Sequence, residues 1–308
     1  MLEEVTDAGV PKCEFHVDEA YGGGKSAPMD AEAKLLMACI PGLEEVYGGA
    51  QAADIHDDVT LTITNGTFNR VFGGNNVSGT ISGAITVNIE EVGCRPIIIG
   101  ELYGGGNMAP YTVDPDYTAS NPEYPSPRVN VRSFTSIGTI YGGGYGEGAT
   151  VTGNPLVNIN VGMVKGGGHV YNPASDTSKP SGVTLYPHEK NKIGVIGNVF
   201  GGGNAASVDG NTYVNIGTKE YEKLDGVVVG ETDVSDYYTR SGESPSYTYT
   251  KASVDAGTAT EGNKAKEGVI YYMPVLGADI RGNVFGGGNQ AEVTGNTNVN
   301  VGKKKEGY

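Results

Sequence analysis

The sequence predicts an all-β fold, a right-handed parallel β-helix or solenoid whose basal coil is about 25 residues long. Three observations predict it. Glycine doublets and triplets begin at Gly22, Gly48, Gly73, Gly104, Gly142, Gly166, Gly201 and Gly286, with shortest gaps of 24, 25 and 26 residues. The stretch VFGGGNAASVDGNTYVNI at 199–216 returns almost unchanged as VFGGGNQAEVTGNTNVNV at 284–301. Between the glycine marks, apolar residues alternate with polar ones, the pattern of a strand with one buried face.

The marks align into columns. Directly before the first glycine stand Tyr21, Tyr47, Phe72, Tyr103, Tyr141, Phe200 and Phe285, interrupted by Lys165; one residue earlier stand Ala20, Val46, Val71, Leu102, Ile140, Val199 and Val284. This aromatic and aliphatic pair predicts one strand per coil. Three residues after the first glycine stand Asn76, Asn107, Asn204 and Asn289, an incomplete amide column. A second apolar position follows as Val151, Val208 and Val293, each leading into Gly153, Gly210 or Gly295 and an Asn. It predicts a short second strand and a corner. A third strand is predicted by LTI at 61–63, VNI at 87–89, VNV at 129–131, VNI at 157–159, VNI at 214–216 and VNV at 299–301.

Three short strands in about 25 residues suit one coil in which every strand pairs with its equivalent about 4.8 Å away. Identical side chains then stack, and Asn amides satisfy one another along the stack. A propeller blade needs about 40 residues and four strands, more than the basal unit supplies. Right-handedness follows from the preference of parallel strands for right-handed crossovers. The whole of 1–308 reads as one elongated domain of seven or eight coils. It reads as a piece of a longer repeat protein, because the last repeat stops at Val301 with no capping helix after it.

Composition agrees. A chain of 308 residues with 50 Gly, 15 Pro, no Trp and 38% hydrophobic residues suits short strands and turns, and its glycines sit at fixed places within apolar patterns. A formal net charge of -15 argues against nucleic acid and against anionic membrane surfaces, both of which need clustered Lys and Arg. Residues 1–58 carry thirteen Asp and Glu against three Lys, so the acidity is concentrated at one end. No run approaches the roughly 18 apolar residues of a membrane span. The start, MLEEVTDAGV, lacks the basic and apolar regions of a signal peptide.

The VFGGGN and VTGNTNVNV motifs resemble the glycine-rich repeats of large bacterial cell-surface and secreted β-helix proteins, adhesin-like relatives of the pectin-lyase-like architecture. The likeness covers about half the chain and is strongest at 199–216 and 284–301. It implies an extracellular or surface-displayed repeat region, flanked by further repeats of the same chain, and carries over no catalytic residues.

The chemical motifs are sparse. GGGKS at 22–26 ends like a phosphate-binding loop but lacks the upstream glycine, and Asn or Ala stands where a calcium-binding repeat would place Asp. His16, His56, His169 and His188 are dispersed without metal-ligand spacing, so no metal and no cofactor is expected. Cys13 and Cys39 share one offset and should stack, as packed thiols or as a disulfide; Cys94 sits one position off their column. The alignment stacks Asp18 on Glu44 and Glu19 on Glu45, with Arg70 in the latter column. Stacked acids raise each other's pKa and can begin a catalytic pair, and they also form ordinary polar outer faces.

Binding residues are expected in the insertions at 110–128, 169–192 and 217–277, since coils must match their neighbours and loops are free to vary. These segments are rich in Tyr, Ser and Gly, and the ones singled out are Tyr117, Tyr124, Tyr237, Tyr238, Tyr247 and Tyr249. Such rings pack loops onto a scaffold or meet a glycan or a host or matrix protein. A hairpin between the YTYT run at 247–250 and the VVV run at 227–229 is a further expectation. The reading that results is a non-catalytic structural and adhesive module. Its rivals are a polysaccharide-binding or polysaccharide-cleaving β-helix enzyme and a passive spacer.

Overall fold

The computed structural model describes residues 17–38, 40–91, 95–114, 126–162, 193–224, 229–244, 246–252 and 263–303, with Leu185, Pro187 and Val227. Over these residues the chain is all-β and without helices, and most of it lies in long parallel sheets. The first sheet runs β1 (Glu19–Tyr21), β3 (Gly42–Tyr47), β5 (Gly66–Phe72), β7 (Ile97–Tyr103), β10 (Ser136–Tyr141), β13 (Val195–Phe200) and β20 (Asp279–Ile280), with β21 (Val284–Phe285) also on β13. The second runs β2 (Ala33–Met37), β4 (Val59–Ile63), β6 (Ile85–Glu90), β9 (Arg128–Ser133), β12 (Leu156–Ile159), β15 (Thr212–Ile216) and β22 (Thr297–Val301). A narrow third sheet holds β8 (Tyr111–Thr112), β11 (Val151–Thr152) and β14 (Val208–Asp209). The chain visits the sheets in turn, and each return adds one rung.

The expected columns are the observed register. Tyr21 pairs with Tyr47, Tyr47 with Phe72, Phe72 with Tyr103, Tyr103 with Tyr141, Tyr141 with Phe200 and Phe200 with Phe285. In the second sheet Leu61, Val87, Val129, Val157, Val214 and Val299 follow one another, as the alternating triplets require. One expected mark, Gly166, lies outside the described residues, and Tyr141 pairs directly with Phe200. The insertion at 110–128 is narrower than expected. Tyr111 and Thr112 pair with Val151 and Thr152, and Arg128 opens β9, so both ends of the segment belong to the frame.

Side chains on opposite faces of the first sheet enter two separate cores. Val46, Val71, Leu102, Ile140 and Val199 point inward against Leu61, Val87, Val129, Val157 and Val214 of the second sheet, all wholly buried. The next residues along the chain point the other way and form a continuous ring stack, Tyr21 to Phe285, with neighbouring centroids 4.8 to 5.0 Å apart and planes within 15° of parallel. Each stacked pair adds about 0.5–1.5 kcal/mol beyond its buried area. The stack ends at Phe285, which is 45% exposed.

The glycine that follows each ring is required by closeness between rungs. A Cβ on Gly73, Gly104, Gly142 or Gly201 would lie 2.3 Å from the carbonyl oxygen of the equivalent glycine one rung on. The expected amide column bonds as two pairs, Asn107 to Asn76 and Asn289 to Asn204, whereas the Asn residues of the second sheet form a continuous ladder. Asn130 donates to Asn88 at 3.0 Å, Asn158 to Asn130 at 3.1 Å, Asn215 to Asn158 at 3.0 Å and Asn300 to Asn215 at 2.8 Å.

Replacing Gly142 by Ala is expected to lower the unfolding free energy by about 1–3 kcal/mol, as overpacking does. Gly287→Ala, with nothing within 4 Å of its Cβ, should leave it unchanged. Urea denaturation of the two variants checks the difference.

Burial first, then the hydrogen bond to Glu19, pushes the Tyr21 phenol up to about 12, and burial, then the charge of Glu101, does the same to Tyr141. Both are neutral in the folded chain where the unfolded chain ionises near 10.0. Their contribution to stability is complete below pH about 10 and lost as pH climbs through about 12. Phenolate absorbance followed with circular dichroism should show the stack ionising above the exposed tyrosines, together with loss of the fold.

Candidate functional site

The outer face of the first sheet carries the stacked acids. Glu19 pairs with Glu45, Glu45 with Arg70 and Arg70 with Glu101, each two residues before a ring of the stack. Repulsion within the row is relieved locally: Arg70 forms an ion pair with Glu45, Tyr47 donates its phenol to Glu45, and Tyr103 donates to Glu101 at 3.1 Å. The loops after the glycines close over the rings. Asn76 donates to the Tyr21 oxygen at 2.6 Å and Asn204 to the Tyr103 oxygen at 3.2 Å, while Asn107 bonds to Asn76 and Asn289 to Asn204. Carboxylates, phenols and amides here are chiefly bonded to one another.

A different surface is built by the 217–277 insertion. It forms a four-stranded antiparallel sheet in the order β16 (Tyr221–Lys223), β19 (Tyr271–Pro274), β17 (Tyr238–Glu243) and β18 (Ser246–Lys251). The YTYT run pairs with 238–243, Arg240 opposite Tyr249 and Gly242 opposite Tyr247, so the expected hairpin with 227–229 is replaced. The connection through Ser244 and Pro245 is short, and loop closure favours the nearer partner.

Directly opposed residues share a face, and alternation sorts this sheet into two. One face carries Glu222, Tyr271 and Met273 and turns toward the frame. Tyr271 and Met273 join Leu224, Val234, Tyr237 and Ala265 in a small core. Glu222 is buried and lies 3.8 Å from Arg132 of β9, which is itself 2% exposed, lies 3.8 Å from Glu90 and donates to Asn88 at 3.2 Å. Lys219 approaches Glu222 at 2.9 Å. A buried charge network therefore pins the insertion to the second sheet.

The other face carries rings and cations. Tyr221 stacks on Tyr249 with centroids 3.8 Å apart and planes 12° from parallel, Tyr238 leans on Tyr221 at 5.3 Å, and Tyr272 meets Tyr249 edge-on at 5.5 Å. The Arg240 guanidinium lies 4.1 Å from the Tyr247 ring centroid and 5.0 Å from that of Tyr272. Lys223 and Lys251 share this face by register, and Lys251 lies 3.6 Å from Asp236, both exposed. Loss of hydration among these rings raises the Tyr221 phenol. A planar cation held on phenol rings can stack and donate hydrogen bonds at once.

Of the expected binding residues, Tyr247 is 39% exposed, and Tyr238 and Tyr249 are half-buried on this face. Tyr237 is a correction: at 5% exposure it is part of the small core, where burial, then Glu90, raises its phenol, and it supports the face from behind. Tyr117 and Tyr124 lie outside the described residues, as do Cys13, Cys39, Cys94 and all of 169–192 except Leu185 and Pro187. Leu185 is buried with Ile98. Arg240, Tyr221 and Tyr272 were not expected. Their signal was the spacing of Tyr221 with Lys223, and of Tyr238 with Arg240, two apart and so on one face of a strand.

Among the described residues no group of three His, Cys, Asp or Glu is placed to hold a metal ion, and His56 pairs with Asp30 at 2.7 Å. No helix of the described residues is long and apolar enough to cross a membrane. No family model, curated protein or solved structure matches the chain.

Arg132 is the buried cation facing both Glu90 and the buried Glu222. Arg132→Met is expected to cost about 3–5 kcal/mol, as breaking a buried pair does. Amide exchange should accelerate first in 221–223 and 271–274; uniform acceleration across the parallel sheets would contradict the pinning role.

Proposed function

We propose that the chain is a non-catalytic structural and adhesive module of a secreted or surface-displayed bacterial protein, folded as a right-handed parallel β-helix. It binds a glycan or a host or matrix protein through the ring face of its insertion and adjoins further repeats of the same longer chain. The β-helix reading is supported by rung-to-rung register in three parallel sheets visited in turn. Its hand is the ordinary one for parallel crossovers.

The observation that carries the binding reading is the ring face itself, where Tyr221, Tyr238, Tyr249 and Tyr272 cluster and Arg240 lies over Tyr247 and Tyr272 on a pinned sheet. Tyr and Arg dominate binding hot spots because they supply area and directed hydrogen bonds at low entropic cost. Rings of this kind also stack on sugar faces. The strong negative charge of the chain argues against nucleic acid as the partner.

The test is binding of the purified chain to an array of glycans and matrix proteins, alongside the triple variant Tyr238→Ala, Tyr247→Ala, Tyr249→Ala. Binding that falls by about tenfold or more in the variant is the expected result. Unchanged binding would move the contact off this face. Shortening of a bound polysaccharide would favour the rival enzyme reading and direct attention to the Glu45 and Arg70 row. A chain that binds nothing would be a spacer.

A further inference from the structure

Among the described residues the insertion sheet has an open edge at β18. In the order β16, β19, β17, β18 this strand is last, and among the described residues no backbone bridge reaches it from the far side. The phase of its hydrogen bonds follows from its neighbour. The amide of Ala252 donates to the Tyr237 carbonyl at 2.8 Å, so the alternate residues Thr250, Thr248 and Ser246 direct their backbone groups toward β17. The amides and carbonyls of Tyr247, Tyr249 and Lys251 therefore point to the open edge.

Unpaired edges recruit other strands, and proteins blunt them with short strands, bulges, Pro or interior charges. β18 carries none of these within its span. It runs six residues, its interior is Tyr-Thr-Tyr-Thr, and its one charge, Lys251, is at the end. The cations reach this edge. Arg240 belongs to β17, yet its guanidinium lies over the Tyr247 ring of β18, and Lys251 stands on the same face. Asp236 lies 3.6 Å from Lys251, both exposed. The opposite face of the hairpin is mainly hydroxyl, with Thr239, Ser241, Thr248 and Thr250, and Glu243 at its tip.

We propose that β18 is a docking strand for an extended acidic segment of a partner protein, which adds as a fifth strand to the insertion sheet. This rests on the binding reading above and names its mode and partner chemistry. Main-chain hydrogen bonds to Tyr247, Tyr249 and Lys251 hold the segment. Acidic side chains on its ring-side positions meet Arg240 and Lys251, and apolar or hydroxyl side chains between them meet the Thr face. A second copy of β18 suits the edge less well, because antiparallel self-pairing would gather two Arg240 and two Lys251 on one face.

The experiment uses the full chain and a synthetic peptide alternating Glu with Thr, with three comparison peptides. One has Lys in place of Glu, and two are N-methylated on one or the other alternate set of amides. On the protein side, Tyr249→Pro removes the outward amide and leaves the bonds to β17, whereas Tyr249→Ala removes only the ring. Tyr247→Pro and Tyr247→Ala repeat the comparison one pleat away.

The expected result is binding of the Glu peptide that Pro weakens by about tenfold or more beyond Ala. The Lys peptide should not bind, and one of the two N-methylated peptides should fail. Four outcomes would overturn the proposal. Equal losses for Pro and Ala, with both N-methylated peptides still binding, would leave the ring face as the contact and remove strand addition. Equal binding of the Lys peptide would remove the acidic partner. Dimerisation of the chain that Tyr249→Pro abolishes would make a second copy the occupant. Loss of array binding in the triple Tyr variant, without any peptide binding, refutes the docking strand and keeps the ring-face reading.

Discussion

A parallel ladder sets each residue beside its equivalent on the next strand at about 4.8 Å, and everything else in the frame answers to that spacing. A column survives only if its residue tolerates a copy of itself at that distance. Aromatic rings do, by stacking at 4.8 to 5.0 Å. Asn does, because its amide both donates and accepts, and the ladder from Asn88 to Asn300 uses both. Glycine does where the backbones themselves are too close for a Cβ. Glutamate does so only with relief: Glu19 stands beside Glu45, which is met by the opposite charge of Arg70 and by the phenol of Tyr47, and Glu101 accepts from Tyr103.

The same constraint explains what was legible in the sequence. Columns of one residue type are a one-dimensional signal, so the rungs, the ring stack and the alternating triplets could be aligned by eye and then recur as register pairs. The antiparallel insertion has no copy elsewhere in the chain, so nothing in the sequence indicated which of its strands meet. Local alternation did predict that YTYT is a strand, and hairpin closure rather than composition decided its partner. Tyr237 is buried for a related reason: in DYYTR the two tyrosines are adjacent, one faces the core and the other the ring face, and composition does not distinguish them.

Frame and insertion thus obey different rules. In the frame a substitution is judged by its neighbours on both adjacent rungs, which leaves its outer face nearly closed, with amides covering phenols and phenols bonded to acids. Among the described residues the insertion meets the frame through the Arg132, Glu90 and Glu222 network, and its own small core around Tyr271 backs the ring face. That face is released from matching and carries cations in a chain whose net charge is -15.

That contrast of charge bears on recognition. The field of the whole chain repels polyanions at a distance, and at moderate ionic strength it is screened beyond roughly 10 Å. Arg240 and Lys251 act inside that range, so the proposed anionic partner would be selected by contact and not by long-range steering. Arg240 is suited to this because two phenol rings hold its guanidinium plane, which lowers the entropy lost when it binds. A pinned sheet, an ordered cation and an open strand edge place preorganisation in the one part of the chain that the ladder does not constrain.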